Sequence, residues 1–407
     1  MPPSTSPHRA AHAVLNTPGF RVLWLATVAN QLTFGMMQVI LGWMVLALTG
    51  SSQMVGVAFA LRAAPNLVLG FAAGAVTDRL DRRLVMRCSA FGMALVSLAM
   101  AWGLWQNHVE LRHVLVYAVV IGMLRAFEMT ARQAYVYDIV GAQDILQGLA
   151  LNATAQRIGG TLGALIAGVV LAWWGASAAF LTMGLCYGGG GALLYALRTR
   201  GAAAPTVSEP LWKNIRTYSR ALRSDRMLRS LMISTAAAEI LGFSHQAMLP
   251  VLAQEVLQIG AAGLGVLTAF RFVGGILGAL LMTAIGRAPY RGILLLVVQG
   301  LFGIGLMTLS QVSQLWLAMV WVTGINIMAM AADILHQTLL QTHVANTQRG
   351  RAMGAWIIGT GAAPIGNLEI GYVAQVTSVS MALLLNGGAL VILPFLLLWL
   401  MPQFRRL

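Results

Sequence analysis

Gly74-Ala-Val-Thr-Asp78-Arg79-Leu-Asp81-Arg82-Arg83 sets five charged residues in ten between two long apolar stretches, 53–76 before it and 84–105 after it. A helix that crosses a lipid bilayer needs about 20 mostly apolar residues, and both flanks supply that length. The run therefore reads as a short polar hairpin between two membrane spans. The same alternation of apolar run and polar break continues along the chain.

Working outward from that hairpin, spans are predicted near 22–48, 53–76, 84–105, 113–131, 148–172, 175–197, 229–252, 263–285, 292–310, 315–333, 351–373 and 379–401. The runs are too long for barrel strands and lack their period-2 alternation, so helices are the predicted way to satisfy the backbone in lipid. Composition agrees. With 58% hydrophobic and 9% charged residues over 407 positions and a mean hydropathy of +0.76, the chain cannot present an ordinary charged surface to water. The expectation is an all-α integral membrane protein of twelve helices.

Cationic loops resist translocation, so arginine reports orientation. Arg79, Arg82, Arg83, Arg132, the Arg198 to Arg229 cluster with Lys213, Arg287, Arg291, Arg349, Arg351, Arg405 and Arg406 fall to one set of loops, and Arg112 alone to the other. Both termini are therefore expected in the cytoplasm of a bacterium, with the chain in its inner membrane. The same distribution accounts for the net charge of +14 without nucleic acid, whose binders gather basic residues on one soluble face. Met1 to Pro18 has no apolar core before a small-residue cleavage site, so no cleaved signal peptide is read. Cys88 and Cys186 stand on different predicted spans and imply neither a disulfide framework nor a metal site.

The longest polar break divides the chain. The expected organisation is a cytoplasmic segment 1–20, a first six-helix bundle 21–197, a linker 198–228, a second bundle 229–401 and a tail 402–407. Within the linker, Trp212, Ile215, Tyr218, Leu222 and Leu228 recur at helical spacing while Lys213, Arg216, Arg220, Arg223 and Arg226 fill other faces. This predicts a basic amphipathic helix on the anionic leaflet or, alternatively, a solvated linker helix. The halves echo each other. Gly286-Arg287-Ala-Pro289-Tyr-Arg291 stands where a second copy of the charged hairpin would be. Gly159, Gly160 and Gly163 in span five correspond to Gly359, Gly361, Pro364 and Gly366 in span eleven, as helix-packing motifs.

Gly74-x3-Asp78-Arg79-x2-Arg82-Arg83, lying between spans two and three on the cytoplasmic side, resembles the signature loop of the major facilitator superfamily, and the likeness extends along nearly the whole chain. Leu46 to Ser51, Ala131-Arg132-Gln133-Ala134, Leu149 to Asn152 and Arg349-Gly350-Arg351-Ala-Met353-Gly354 resemble the drug:proton antiporter branch that includes macrolide efflux proteins and enterobactin exporters. The resemblance implies two pseudo-symmetric six-helix bundles, export by alternating access, and a monomer. In that setting Gly74, Asp78, Arg79, Arg82 and Arg83 are expected to gate, meeting helix termini of the other half; the alternative for Arg82 and Arg83 is that they only set orientation. Thr130 and Gly160 depart from the branch by standing where it has proline.

Ionisable residues at membrane depth cost about 2.5–3.5 kcal/mol each on insertion scales and so should be paired or functional. Glu239 is placed about 15 Å from the cytoplasmic end of span seven, near the bilayer midplane. Glu369, Asp333 and Glu128 are placed nearer span ends. Glu239 is accordingly the leading proton-coupling candidate, with Arg271 and His245 as partners. The alternative is a permanent Glu239–Arg271 pair that only holds spans seven and eight together. Arg125 and Glu128 share a helix face; Arg125 also resembles the span-four arginine of related antiporters, and a local Arg125–Glu128 pair is the competing reading. Gln31, Gln38, Arg62, Asn66, Gln156, Arg157 and Asn326 are candidates for the substrate cavity, with Asn30 beside them, or for interhelical hydrogen bonding.

No phosphate-cradling loop, zinc-binding His-Glu-x2-His or nucleophile elbow occurs, which speaks against an enzyme and an ATP-driven pump. No cofactor or metal is expected; the partners are a small-molecule substrate, protons and membrane lipids. Export of an amphiphilic drug or siderophore-like metabolite by proton antiport is the leading expectation. Its competitors are proton-symport import and a non-transporting sensor or assembly protein on the same scaffold.

Overall fold

A computed structural model of the chain describes residues 14–199, 225–285, 290–343 and 359–400. The amphipathic linker, the degenerate second hairpin apart from its Tyr290-Arg291 end, the Arg349 to Gly354 stretch and the tail 402–407 lie outside them. Among the described residues the secondary structure is helical. In chain order we label α1 (Pro18–Thr49), α2 (Ser52–Arg79), α3 (Arg82–Trp105), α4 (111–140), α5 (142–174), α6 (176–193), α7 (226–256), α8 (Gly260–Ile285), α9 (Arg291–Leu309), α10 (Leu315–His343), α11 (Ala363–Val376) and α12 (Val379–Leu400).

Nine helices among the described residues are long and apolar enough to cross a membrane. One of these, Gln147–Ala196, is cut in two at Gly175, and α7 and α11 fall outside the nine because π-turns and a turn interrupt them. The series is consistent with the twelve expected spans in their expected order.

Local chemistry sets the boundaries. Gly141 (φ 72°) and Gly175 (φ 77°) separate α4, α5 and α6 with backbone angles an L side chain rarely adopts. Asp81 caps α3 by accepting from the Arg83 amide at 2.9 Å, and Asp225 caps α7 by accepting from the amides of Met227 and Leu228. Exposed Trp102, Trp105, Trp173 and Trp174 mark one end of the first half, where amphipathic rings suit a membrane interface.

Two helices run past their predicted ends. α4 continues nine residues beyond 131 and α10 ten beyond 333. Arg132, read from sequence as a loop residue, is instead 1% exposed inside α4, and Asp333 lies within α10 rather than at its end. Hydropathy falls there while the helices continue, with Arg132 and His336 buried and Gln133 and Thr342 exposed.

By contacts the chain divides into one unit of Met1–Ile40 with Val68–Ser208 and a second of Leu41–Leu67 with Glu209–Leu407. Residues 41–67 join the second unit through small-residue contacts: Gly42 meets Pro250, and Gly56 meets Asn367 and Gly371. Within the first unit α1 and α5 cross backbone to backbone, since a Cβ at Gly163 would lie 1.8 Å from the Leu32 carbonyl oxygen and one at Gly159 would lie 2.5 Å from that of Val28. Gly160 faces Gly35 in the same crossing. Within the second unit α7 meets α11 in the corresponding way: Gly366 abuts Ile240 and Gly359 abuts Thr235. Gly361 sits in the turn before α11, whose first helical turn holds Pro364.

Candidate functional site

In the second unit, α7 is not a uniform helix. Residues Ala238–Phe243 form a π-helical turn, and Leu252–Val256 form another beyond Pro250. A π-turn widens the backbone hydrogen-bond ladder and is common at functional sites. Glu239 lies in the first of them, partly exposed. Its electrostatic neighbour is the Asp333 carboxylate of α10, to which Gln337 donates at 3.2 Å.

The expected Glu239–Arg271 pair is not formed in this structure. The Arg271 guanidinium donates to Gln246 Oε1 and lies over the Phe272 ring, its carbon 4.5 Å from the centroid. Arg271 thus satisfies a polar neighbour on α7 about two helical turns past Glu239. His245 is taken up as well: its Nδ1 is 2.6 Å from the Gly242 carbonyl and its ring meets Phe302 edge to face. These contacts make His245 a wall of the π-turn rather than a partner of the acid.

In the first unit, Arg125 Nη2 donates to Gln31 Oε1 at 3.0 Å, and its guanidinium lies 3.8 Å from the Phe34 centroid. Two candidates chosen separately, one for protons and one for substrate, are therefore in one contact. The competing Arg125–Glu128 pair is not what forms. Glu128 is instead set against Arg132, Nε to Oε1 3.2 Å, with both side chains buried.

Gln38 and Asn326 are buried, and Asn326 gives its amide to the Val322 carbonyl of its own helix at 2.9 Å. Arg62 lies over Phe59 at 5.4 Å, Gln156 and Arg157 are partly exposed, and Asn66 is exposed. Glu369 accepts from Asn386 at 2.9 Å.

The charged hairpin is tied down inside its own unit. Gly74 lies in α2, where a Cβ would meet nothing within 4 Å among the described residues, and Arg79 ends α2 exposed. The Asp78 side chain is outside the described set. Arg82 Nη1 reaches Asp138 Oδ1 of α4 at 2.5 Å, and Arg83 binds Asp81 at 2.6 Å and the carbonyls of Leu197 and Arg198 at 3.2 Å. The Arg83 guanidinium holds the Asp81 carboxyl below the usual carboxylate range. The described contacts of Arg82 and Arg83 thus go to Asp81, to α4 and to the segment just after α6.

Two groups escaped the sequence reading. Asp138 is one, and the buried hydrogen-bonded set Ser234, Gln299 and His336 is the other, with Ser234 Oγ 3.0 Å from His336 Nε2 and 2.9 Å from Gln299 Nε2. Neither carries a local motif; each partner is supplied by a distant helix.

Comparison with known proteins bears on the whole chain. A family model described as transmembrane secretion effector matches residues 9–405. A staphyloferrin A transporter of Staphylococcus aureus is 24% identical over 83% of this chain and 85% of its own length. The enterobactin exporter EntS of Salmonella typhimurium is 24% identical over 96% and 94%. Among solved structures, the nucleoside transporter NupG matches with a TM-score of 0.77 at 11% identity, covering 94% of this chain and 98% of that one. The peptide transporter POT in complex with sulfate matches at 0.76 and 14% identity, covering 99% of both.

Proposed function

The chain belongs to the transmembrane secretion effector family of the major facilitator superfamily and is a secondary transporter; from that premise we propose that it exports a small amphiphilic metabolite of the siderophore or drug type in exchange for protons. The observation that carries the coupling is Glu239, a carboxylate in the π-turn of α7 with a second carboxylate, Asp333, as its electrostatic neighbour. A protein that must bind and release a proton at membrane depth needs an acid that no cation has neutralised permanently. Arg271, held by Gln246, leaves Glu239 available for that task.

In the cycle, an external proton neutralises Glu239, the loosened backbone of the π-turn lets α7 move against α11 at the Gly366–Ile240 contact, and substrate leaves outward. Release of the proton to the cytoplasm resets the helix. Arg125 and Gln31 supply a cationic and an amide contact for an oxygen-rich substrate. The two siderophore-transporting relatives support that substrate class. The arginine distribution supports a bacterial inner-membrane protein with both termini cytoplasmic, and the working unit in this reading is a monomer of two bundles, 21–197 and 229–401, joined by the 198–228 linker.

The test is accumulation in everted membrane vesicles of catecholate and hydroxycarboxylate chelators, macrolides and hydrophobic cations, with and without an uncoupler. Protein-dependent accumulation that collapses with the uncoupler is the expected result. No accumulation of any of them, with altered uptake into whole cells on deletion, would replace export with import.

A further inference from the structure

The first unit encloses a cavity of about 10 Å³, measured as space for a water's centre, walled by Thr27, Asn30, Met86, Glu128, Arg132 and Tyr187 among others. That is room for about one water molecule. Nε, Nη1 and Nη2 of Arg132, Oε2 of Glu128 and Oδ1 of Asn30 are buried and make no hydrogen bond among the described residues. Arg132 is 1%, Glu128 4% and Asn30 7% exposed, so bulk solvent does not reach these groups. Each unmade hydrogen bond on a buried polar group is costly, more so on a charged one.

We infer that this cavity is an internal water site, in which a bound water joins the Arg132 guanidinium to Glu128 and Asn30 and so connects α1 with α4. The ligand is water rather than an anion for two reasons. Glu128 already balances the charge of Arg132 at 3.2 Å, and the space holds about one small sphere. A water can donate to the Glu128 and Asn30 oxygens and accept from the guanidinium at once.

The second unit shows the same joint made without a mediator. His336 stands at the same register from Leu315, the first residue of α10, as Arg132 does from Leu111, the first residue of α4. Ser234, early in α7 as Thr27 and Asn30 are early in α1, bonds His336 and Gln299 directly. One half closes its polar joint with side chains alone. The other has charges whose fixed geometry leaves bonds unmade and, beside them, a hole with room for about one water.

The test is radiolytic hydroxyl footprinting of the full-length protein in lipid nanodiscs, read by mass spectrometry. Bound water close to a side chain generates radicals locally, so buried residues beside it oxidise while equally buried residues elsewhere do not. Met86 and Tyr187, each 1% exposed, line the cavity; Met248 at 0% and Tyr117 at 2% do not. Met86 is expected to label several-fold faster than Met248, and Tyr187 several-fold faster than Tyr117, with slow incorporation of oxygen-18 after mixing into labelled water. Equal rates within each pair would overturn the inference. Asn30→Leu, which fills the cavity from α1, is expected to bring Met86 down to the rate of Met248; unchanged labelling in that variant would place the water elsewhere and equally overturn it.

Discussion

Arg82 Nη1 and Asp138 Oδ1 lie 2.5 Å apart, joining the first turn of α3 to the last turns of α4, with side chains only 10% and 12% exposed. A pair this sheltered is more damaging to break than to remove. Asp138→Asn strands a guanidinium and should destabilise by about 1–3 kcal/mol, read as a lower melting temperature in detergent. Adding Arg82→Gln should recover part of that loss. A double variant no more stable than the sum of the two single losses would show that the pair is not coupled.

The neighbouring Asp81 predicts a pH dependence. Its carboxyl is held low chiefly by the Arg83 side-chain hydrogen bond. Because the folded value is depressed, its stabilisation is present above the unfolded value of about 3.9 and is lost as pH falls through the folded value. The melting-temperature gap between wild type and Asp81→Asn should therefore be constant near neutrality and close in acid. The pair is part-exposed, so the gap should be small. A gap that widens in acid would reverse the sign.

Crossing geometry makes a third prediction. A Cβ at Gly163 would meet the Leu32 carbonyl at 1.8 Å, whereas one at Gly189 would find nothing within 4 Å. Gly163→Ala should cost about 1–3 kcal/mol through overpacking and slow transport, while Gly189→Ala should be close to neutral in both. Thermal stability of the purified variants, alongside vesicle flux, checks it. Equal behaviour would mean that α1 and α5 do not cross as described.

The polar joint of the second unit gives a fourth. His336→Leu leaves Ser234 and Gln299, both 0% exposed, without their shared partner, at a cost of about 1–3 kcal/mol. His336→Asn can still bond Ser234 and should lose less. Melting temperatures in that order support the joint, and the reverse order contradicts it.

How much of this was readable in advance follows from the range of each interaction. Spans and the charged hairpin are local signals: an apolar run long enough to cross lipid, or five charges in ten residues, needs no partner to be recognised. Asp138 was missed because it is 56 positions from Arg82, and the helix continuing to it is too polar for a hydropathy window. Arg132 was taken as a loop residue for the same reason; its charge signalled water, and Glu128 one turn earlier is what permits burial. The failure of the Glu239–Arg271 pair has a different cause. Complementary charges on adjacent spans predict attraction but not rotation, and the π-turn changes which face of α7 each residue presents. The glycines of α5 and α11 were legible as small, but their contacts with α1 and α7 only in three dimensions.

The most direct test of proton coupling at Glu239 compares two assays on one variant. In Glu239→Gln, reconstituted into proteoliposomes, labelled substrate should still exchange for unlabelled substrate at close to the wild-type rate, while accumulation driven by an imposed pH gradient should disappear. Gradient-driven accumulation equal to wild type would remove Glu239 from the coupling mechanism.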